Sequence, residues 1–336
     1  MRAVDSEKDR LSSPLLMCVA SLLALATVPP ALAAATGKII VSNEKSNTLT
    51  ILDADAVVIQ TIETCARPRG MKFSADRTEF YVGCADDSEI AIYNVATFEL
   101  VRRIRGVEEP ETFDLHPDGR RLIISNEEDA EASVVDVETG EYLVGFETGE
   151  EPEGVQITPD GKFAFVASEA ANMVHVIDIE AGEVVKDILV DTRPRRFALS
   201  PDGNELWVSA ELAGMVDIID VATLTLKGDI QFLPTGFRKE EVTPVDVLIT
   251  KDGTRGYVAL GRANHVGVVD AKTHEILAYV LVGKRPWGLA LSHDEKTLYV
   301  ANGLSDDLTI VDTETLKALK SVPVGMVPYG VLVDDH

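Results

Sequence analysis

The sequence predicts a seven-bladed β-propeller, an all-β wheel of four-stranded blades in which one blade is closed by strands from both ends of the chain. Two residue ladders and a repeated internal grammar predict it. Pro68, Pro110, Pro152, Pro194, Pro244, Pro286 and Pro328 lie 42, 42, 42, 50, 42 and 42 residues apart. Asp53, Asn94, Asp136, Asp178, Asp220, Asp270 and Asp312 step by 41, 42, 42, 42, 50 and 42. A repeat of this length is that of a propeller blade, a unit that buries its faces only against its neighbours. Both ladders carry the same insertion between Asp220 and Pro244, in the stretch FLPTGFRKEEV.

Within each unit the order is constant. A short apolar run follows the proline, as in Gly154-Val155-Gln156-Ile157. A turn comes next (SADR, HPDG, TPDG, SPDG, TKDG or SHDE), where Asp and Gly suit a tight reversal. A β-branched and aromatic strand follows, such as Phe163-Ala164-Phe165-Val166 or Leu206-Trp207-Val208. After a polar loop, a third strand ends in the ladder Asp, as in Val174-His175-Val176-Ile177-Asp178, and a second turn leads to a fourth strand such as Glu183-Val184-Val185-Lys186. Lys38 to Asp53 holds the second and third strands of a unit without its inner strand, and Pro328-Tyr329-Gly330-Val331-Leu332-Val333 supplies that strand from the other end. Closure of this kind removes the exposed edges of a linear array.

Composition narrows the function classes. The chain has 336 residues, 46% of them hydrophobic and 26% charged, as expected of a globular protein rather than a disordered one. Its net charge of −25 repels phosphate backbones and anionic lipid, so no nucleic-acid partner is expected. Residues 15–28 form an apolar run followed by Pro29-Pro30 and Ala31-Leu32-Ala33, which reads as a secretory signal over residues 1–33 cleaved after Ala33. The leader before it is atypical in carrying three basic and three acidic residues. The run is shorter than the roughly 20 residues of a stable anchor, so no membrane span is expected once the signal is removed. Met17 is too large for a lipoprotein box at Cys18. Residues 34–336 are then one exported, periplasmic propeller, expected to be a monomer.

Export leaves Cys65 and Cys84. Cys65 stands three residues before a ladder proline and Cys84 ends the next strand of the same unit, so both fall on one loop face. A disulfide between them is expected, worth roughly 3 kcal/mol for the loop it closes, against the alternative of two separate buried thiols.

The strand signatures Tyr299-Val300-Ala301-Asn302, Tyr81-Val82-Gly83-Cys84 and Phe165-Val166-Ala167-Ser168 resemble the YVTN class of β-propeller repeats. Longer stretches carry a finer likeness: CARPRG (Cys65 to Gly70), EPEGVQ (Glu151 to Gln156), ELWVSAE (Glu205 to Glu211), VALGRANHV (Val258 to Val266) and GKRPWGLALS (Gly283 to Ser292). Together they resemble the β-propeller proteins associated with PQQ-dependent catabolism, over essentially the whole exported chain. That resemblance implies an accessory protein beside alcohol oxidation, with a quinoprotein dehydrogenase or a transporter component as partner, and no catalytic residues.

The residues themselves also speak against catalysis. Eight-bladed quinoprotein dehydrogenases are expected to carry Trp-rich blade motifs and adjacent cysteines, whereas this chain has two Trp and no Cys-Cys pair. No GxSxG, HExxH or CxxCH motif is present. Among six histidines, His116, His274 and His293 fall in turns, His336 ends the chain, and His175 and His265 each stand alone on a third strand. No spacing assembles a three-histidine metal site.

If the protein binds anything, the mouth of the wheel is the place. One residue after each ladder proline gives the ring Arg69, Glu111, Glu153, Arg195, Val245, Trp287 and Tyr329. Nine residues before each ladder Asp or Asn gives Glu44, Ala85, Glu127, Glu169, Glu211, Gly261 and Gly303. Glu44, Glu127, Glu169 and Glu211 together would hold a divalent cation. Arg69, Arg195, Arg196 and Arg285, with Trp287 and Tyr329, would instead clamp a planar carboxylated ligand such as PQQ. A third outcome is that these Arg and Glu simply pair across neighbouring blades. The expectation is a docking or binding module without a resident cofactor. The alternatives are a receptor for PQQ, a divalent cation or an alcohol-derived substrate serving a transporter and, less favoured, a metal-dependent hydrolase or lactonase.

Overall fold

Six of the seven ladder prolines open an inner strand: Pro68–Phe73, Pro110–Leu115, Pro152–Ile157, Pro194–Leu199, Pro286–Leu291 and Pro328–Asp334. Proline is tolerated there because the first residue of an edge strand owes no N–H to the ladder. The computed structural model describes residues 32–336, so the export signal expected over residues 1–33 lies, apart from Leu32 and Ala33, outside the described residues. Leu32–His336 forms one compact unit of seven four-stranded antiparallel sheets. Among the described residues there is no helix longer than a 3₁₀ turn, and none long and apolar enough to cross a membrane.

Blade 1 takes Lys38–Asn43, Thr48–Leu52 and Val58–Glu63, with the C-terminal strand Pro328–Asp334 on its inner edge. Ile39 pairs with Val333 and Ile40 with Leu332, which joins the two ends of the chain as expected. Blades 2 to 7 follow in chain order. Blade 6 departs from the repeat. Its inner strand is only Val247–Ile249, starting three residues beyond Pro244. Asp246 accepts the N–H of Val247 at 3.0 Å and that of Leu289 in blade 7 at 2.8 Å, as Asp114 of blade 3 does with Leu115 and with Ile157 of blade 4. The insertion forms the loop of residues 232–246 leading into it, anchored by buried Phe232 and by Phe237 edge-on to His265.

The second and third strands are buried on both faces because each blade is sandwiched between two others, which is why they read as unbroken apolar runs. Ile90 and Ile92 of blade 2, for instance, pack with Leu122 and Ile124 of blade 3. The ladder Asp residues are explained by their turns. Asp136 Oδ1 accepts the N–H of Glu138 and Thr139 at 3.0 and 2.9 Å, and Asp270 and Asp312 hold their own turns the same way. The disulfide joins Cys65 to Cys84, with Cα atoms 5.6 Å apart and both residues buried.

Candidate functional site

The mouth of the wheel is built on a recurring β-bulge. Pro68 faces Cys84 but Met71 faces Val82, so one extra residue is inserted in the inner strand, and the same slip occurs after Pro110, Pro152, Pro194, Pro286 and Pro328. A bulge re-aims the side chains within it. Here those are the residue after each proline, the first predicted ring, and the one following. The bulges are pinned from the second strand of the preceding blade: Ser42 Oγ donates to the carbonyl of Arg69 at 2.9 Å, and Ser125 Oγ to that of Glu153 at 2.8 Å.

The residue before the proline is in the left-handed region in six blades: Arg67, Glu109, Glu151, Arg193, Arg285 and Val327, with φ between 35° and 65°. This turns its carbonyl towards the second predicted ring. The N–H of Glu127 donates to Glu109 O, that of Glu169 to Glu151 O, that of Glu211 to Arg193 O and that of Glu44 to Val327 O. These main-chain bonds tie the residues before the prolines to the second predicted ring.

The predicted Arg and Glu residues meet one another. Arg195 is central: Nη2 lies 2.8 Å from Glu153 Oε1, while Nη1 lies 2.5 Å from Glu169 Oε1 and 3.0 Å from Glu211 Oε2. Glu211 also receives Arg285 at 2.8 Å and Arg193 at 3.2 Å. A second group surrounds Arg69, which contacts Glu111, reaches Glu44 at 3.7 Å and Glu153 at 3.6 Å, and donates to Tyr329 Oη at 3.0 Å. Tyr329 links the groups. Its hydroxyl donates to Glu153 Oε1 at 3.0 Å and also contacts Arg196. Its ring lies under the Arg69 guanidinium at 4.2 Å, and Trp287 lies beside both Arg285 and Arg195 at 4.8 and 5.0 Å. Arg69, Glu111, Glu153, Glu169, Arg195, Glu211 and Tyr329 are all buried.

The four carboxylates proposed to share a cation do not form one site. Glu44 and Glu127 lie with Arg67, at 3.7 and 3.9 Å, while Glu169 and Glu211 lie with Arg193 and Arg195. Among the described residues the carboxylates that gather in a group of three are Glu109, Glu111 and Glu127, within 4.8 Å of one another, and Arg67 contacts all three. The sequence reading missed Arg67, Glu109 and Arg193. Stepping the proline ladder back by one residue would have found them.

Burial and charge set the protonation of this cluster. Burial acts against an ionised Glu153, yet the guanidiniums of Arg195, Arg69 and Arg196 and the Tyr329 hydroxyl prevail and hold it well below the usual carboxylate range. Glu169 goes the other way. Burial and the charge of Glu153 push its carboxyl up to about 8, against the pull of Arg195 and Arg193. Glu111 is also raised, by burial and by Glu153. Burial raises the Tyr329 phenol, which keeps it a hydrogen-bond donor.

The lone strand histidines have structural partners. His175 accepts the N–H of Gly149 on Nε2 at 2.8 Å and pairs through Nδ1 with Asp187 at 2.6 Å. His265 donates through Nδ1 to Ala263 O at 2.6 Å.

Fold and mouth together define a propeller whose axial entrance is closed by its own ion pairs. The chain belongs to the YNCE-like β-propeller family, whose model matches residues 23–289. Solved structures share the wheel. Hydrazine synthase from Kuenenia stuttgartiensis matches at 23% identity with a TM-score of 0.70, covering 78% of this chain and 88% of that one. A functionally unknown protein from Desulfotomaculum acetoxidans matches at 15% identity with a TM-score of 0.76, covering 89% and 99%. A protein from Lactobacillus plantarum matches at 18% identity with a TM-score of 0.76, covering 88% and 98%. At these identities the likeness is one of fold alone. No curated protein matches the chain.

Proposed function

We propose that the protein is an exported, non-catalytic propeller that docks a protein partner in PQQ-dependent alcohol catabolism, a quinoprotein dehydrogenase or a component of the associated transport system. One observation carries the reading: the charged side chains of the mouth hold one another. Arg195 alone engages Glu153, Glu169 and Glu211, so none of these three stands free as a base or open as a metal ligand. What this face offers is its rim. Leu212, Leu304 and Met326 are exposed on loops next to the rings, and the insertion adds exposed Leu233. Exposed apolar side chains in a charged surround suit protein contact. On this reading the protein carries no resident cofactor. A PQQ or cation receptor at the mouth finds less support, because a ligand carboxylate or a cation would have to displace pairs already formed.

The association with alcohol oxidation rests on the sequence likeness and is tested genetically. Deleting the coding sequence should slow growth on a primary alcohol as carbon source while leaving growth on a sugar unchanged, with recovery on re-expression of the chain. Growth on the alcohol at the parental rate would refute it.

A further inference from the structure

Behind the ion-paired mouth the axis opens into a cavity of about 570 Å³, within the range of small-molecule sites. It runs from Trp287 and Tyr329 down the inner strands to Phe73, Ser74 and Ala75, at the end of blade 2's inner strand farthest from the prolines. The burial of Arg69, Glu153, Arg195 and Tyr329 separates it from the mouth, so its access is from the opposite face.

Its electrostatics oppose those of the rest of the molecule. In a chain of net charge −25, the charged side chains lining the cavity, among the described residues, are Lys72, Arg77 and Arg196 against the single carboxylate of Asp246. That carboxylate is already engaged by the N–H groups of Val247 and Leu289. Burial also raises it above its ordinary value, against the pull of Arg196. Lys72 is balanced by Asp114, which accepts further bonds from Gln156 Nε2 at 3.2 Å and Ile157 N at 2.9 Å. Arg77 stands 4.0 Å from Asp334.

Arg196 is the exception among the mouth arginines. The ring two residues after each proline is Gly in blades 1, 2, 4 and 7, at Gly330, Gly70, Gly154 and Gly288, where neighbouring strands come close. Blade 5 places Arg196 there. Its Nη2 is held by Tyr329 and lies 3.6 Å from Glu153, but its Nη1 makes no hydrogen bond among the described residues, and a fifth of the side chain stays exposed. Apolar wall on the same cavity comes from Phe73, Phe113, Phe197 and Leu248.

We propose that the axial cavity binds a small amphipathic monocarboxylate entering from the face opposite the mouth, with its carboxylate on Arg196 and its apolar body against Phe73, Phe113 and Phe197. The site is distinct from the docking rim and stands or falls independently of it.

The probe is 1-naphthoate titrated into the purified protein and followed by calorimetry and by tryptophan fluorescence. Trp287 lines the cavity, whereas Trp207 is fully buried in blade 5. One saturable site is expected, with Kd below about 1 mM, and the neutral isostere 1-naphthalenemethanol should bind at least about tenfold more weakly. Arg196→Gln should weaken 1-naphthoate about tenfold. Val155→Phe, which narrows the cavity, should weaken binding. Lys72→Met, at a half-exposed position, should weaken it without the folding risk of the buried changes. Absence of saturable binding by calorimetry would overturn the proposal, as would equal binding of acid and alcohol. So would binding that survives Arg196→Gln and Val155→Phe but is lost in Arg285→Gln, which would place the probe at the mouth.

Discussion

Arg195 and Glu153 follow the ladder prolines of adjacent blades, and Arg195 Nη2 meets Glu153 Oε1 at 2.8 Å with the side chains only 5% and 4% exposed. The same guanidinium also contacts Glu169 and Glu211, at 2.5 and 3.0 Å. Such a pair is a weak source of net stability, because desolvation offsets attraction, yet breaking it leaves buried charge uncompensated. Arg195→Met should therefore cost about 3–5 kcal/mol in urea unfolding, and adding Glu153→Gln should restore part of the loss. Additive effects of the two changes would show that the pair is not coupled.

The raised Glu169 carboxyl makes a statement about pH. Its folded value of about 8 lies above the ordinary 4.5, so between these pH values the folded state holds more protons than the unfolded one. Stability must then fall as pH rises through that window and level off above it. Glu153, held low, contributes stability across the whole window and loses it only in stronger acid. Glu169→Gln should flatten the decline and raise the melting temperature at pH 8.5 by about 2–4 °C. It should not abolish the slope, because Glu111 is shifted in the same direction. A melting temperature that rises from pH 5 to 8.5 in the parent protein would contradict this.

The disulfide braces the mouth as well as the blade. Cys65 lies two residues before Arg67 and Cys84 one before Ala85, whose N–H donates to Arg67 O at 3.1 Å. Reduction, or replacement of both cysteines by alanine, should lower stability by roughly 3 kcal/mol. Unchanged melting after verified reduction would show that the bond does not brace the fold.

Glycine at the bulge is a packing requirement that can be read against a control. A Cβ on Gly154 would meet Arg195 O at 2.0 Å, whereas one on Gly228 would meet nothing within 4 Å. Gly154→Ala should destabilise by about 2 kcal/mol or more, and Gly228→Ala should stay within about 0.5 kcal/mol of the parent. Equal effects at the two positions would rule out close strand approach as the cause.

The ladders carried the fold because their residues act locally, six of the seven prolines by starting a strand and the Asp by holding a turn. They also carried the two main rings, since a bulge repeated after six of the seven prolines sends equivalent residues to the same place. Arg67, Glu109 and Arg193 escaped notice because a residue before proline is ordinarily extended, whereas here it takes positive φ. The split of Glu44 and Glu127 from Glu169 and Glu211 could not be read from spacing, which fixes radius but not which guanidinium lies between. The contact of Arg196 with Tyr329 joins residues 133 positions apart, and no periodicity encodes it. Blade 6 begins its inner strand late, directly after the insertion, and the proline at 244 concealed this.

The most direct test of the docking account is site-specific photo-crosslinking in alcohol-grown cells, with the photoreactive residue placed at Leu304 on the mouth rim or at Val101 on the outer strand of blade 2, both exposed. The account predicts one discrete adduct from Leu304, containing a quinoprotein dehydrogenase or a transport component, and none from Val101. The same diffuse pattern from both positions, or no adduct from Leu304, would contradict it.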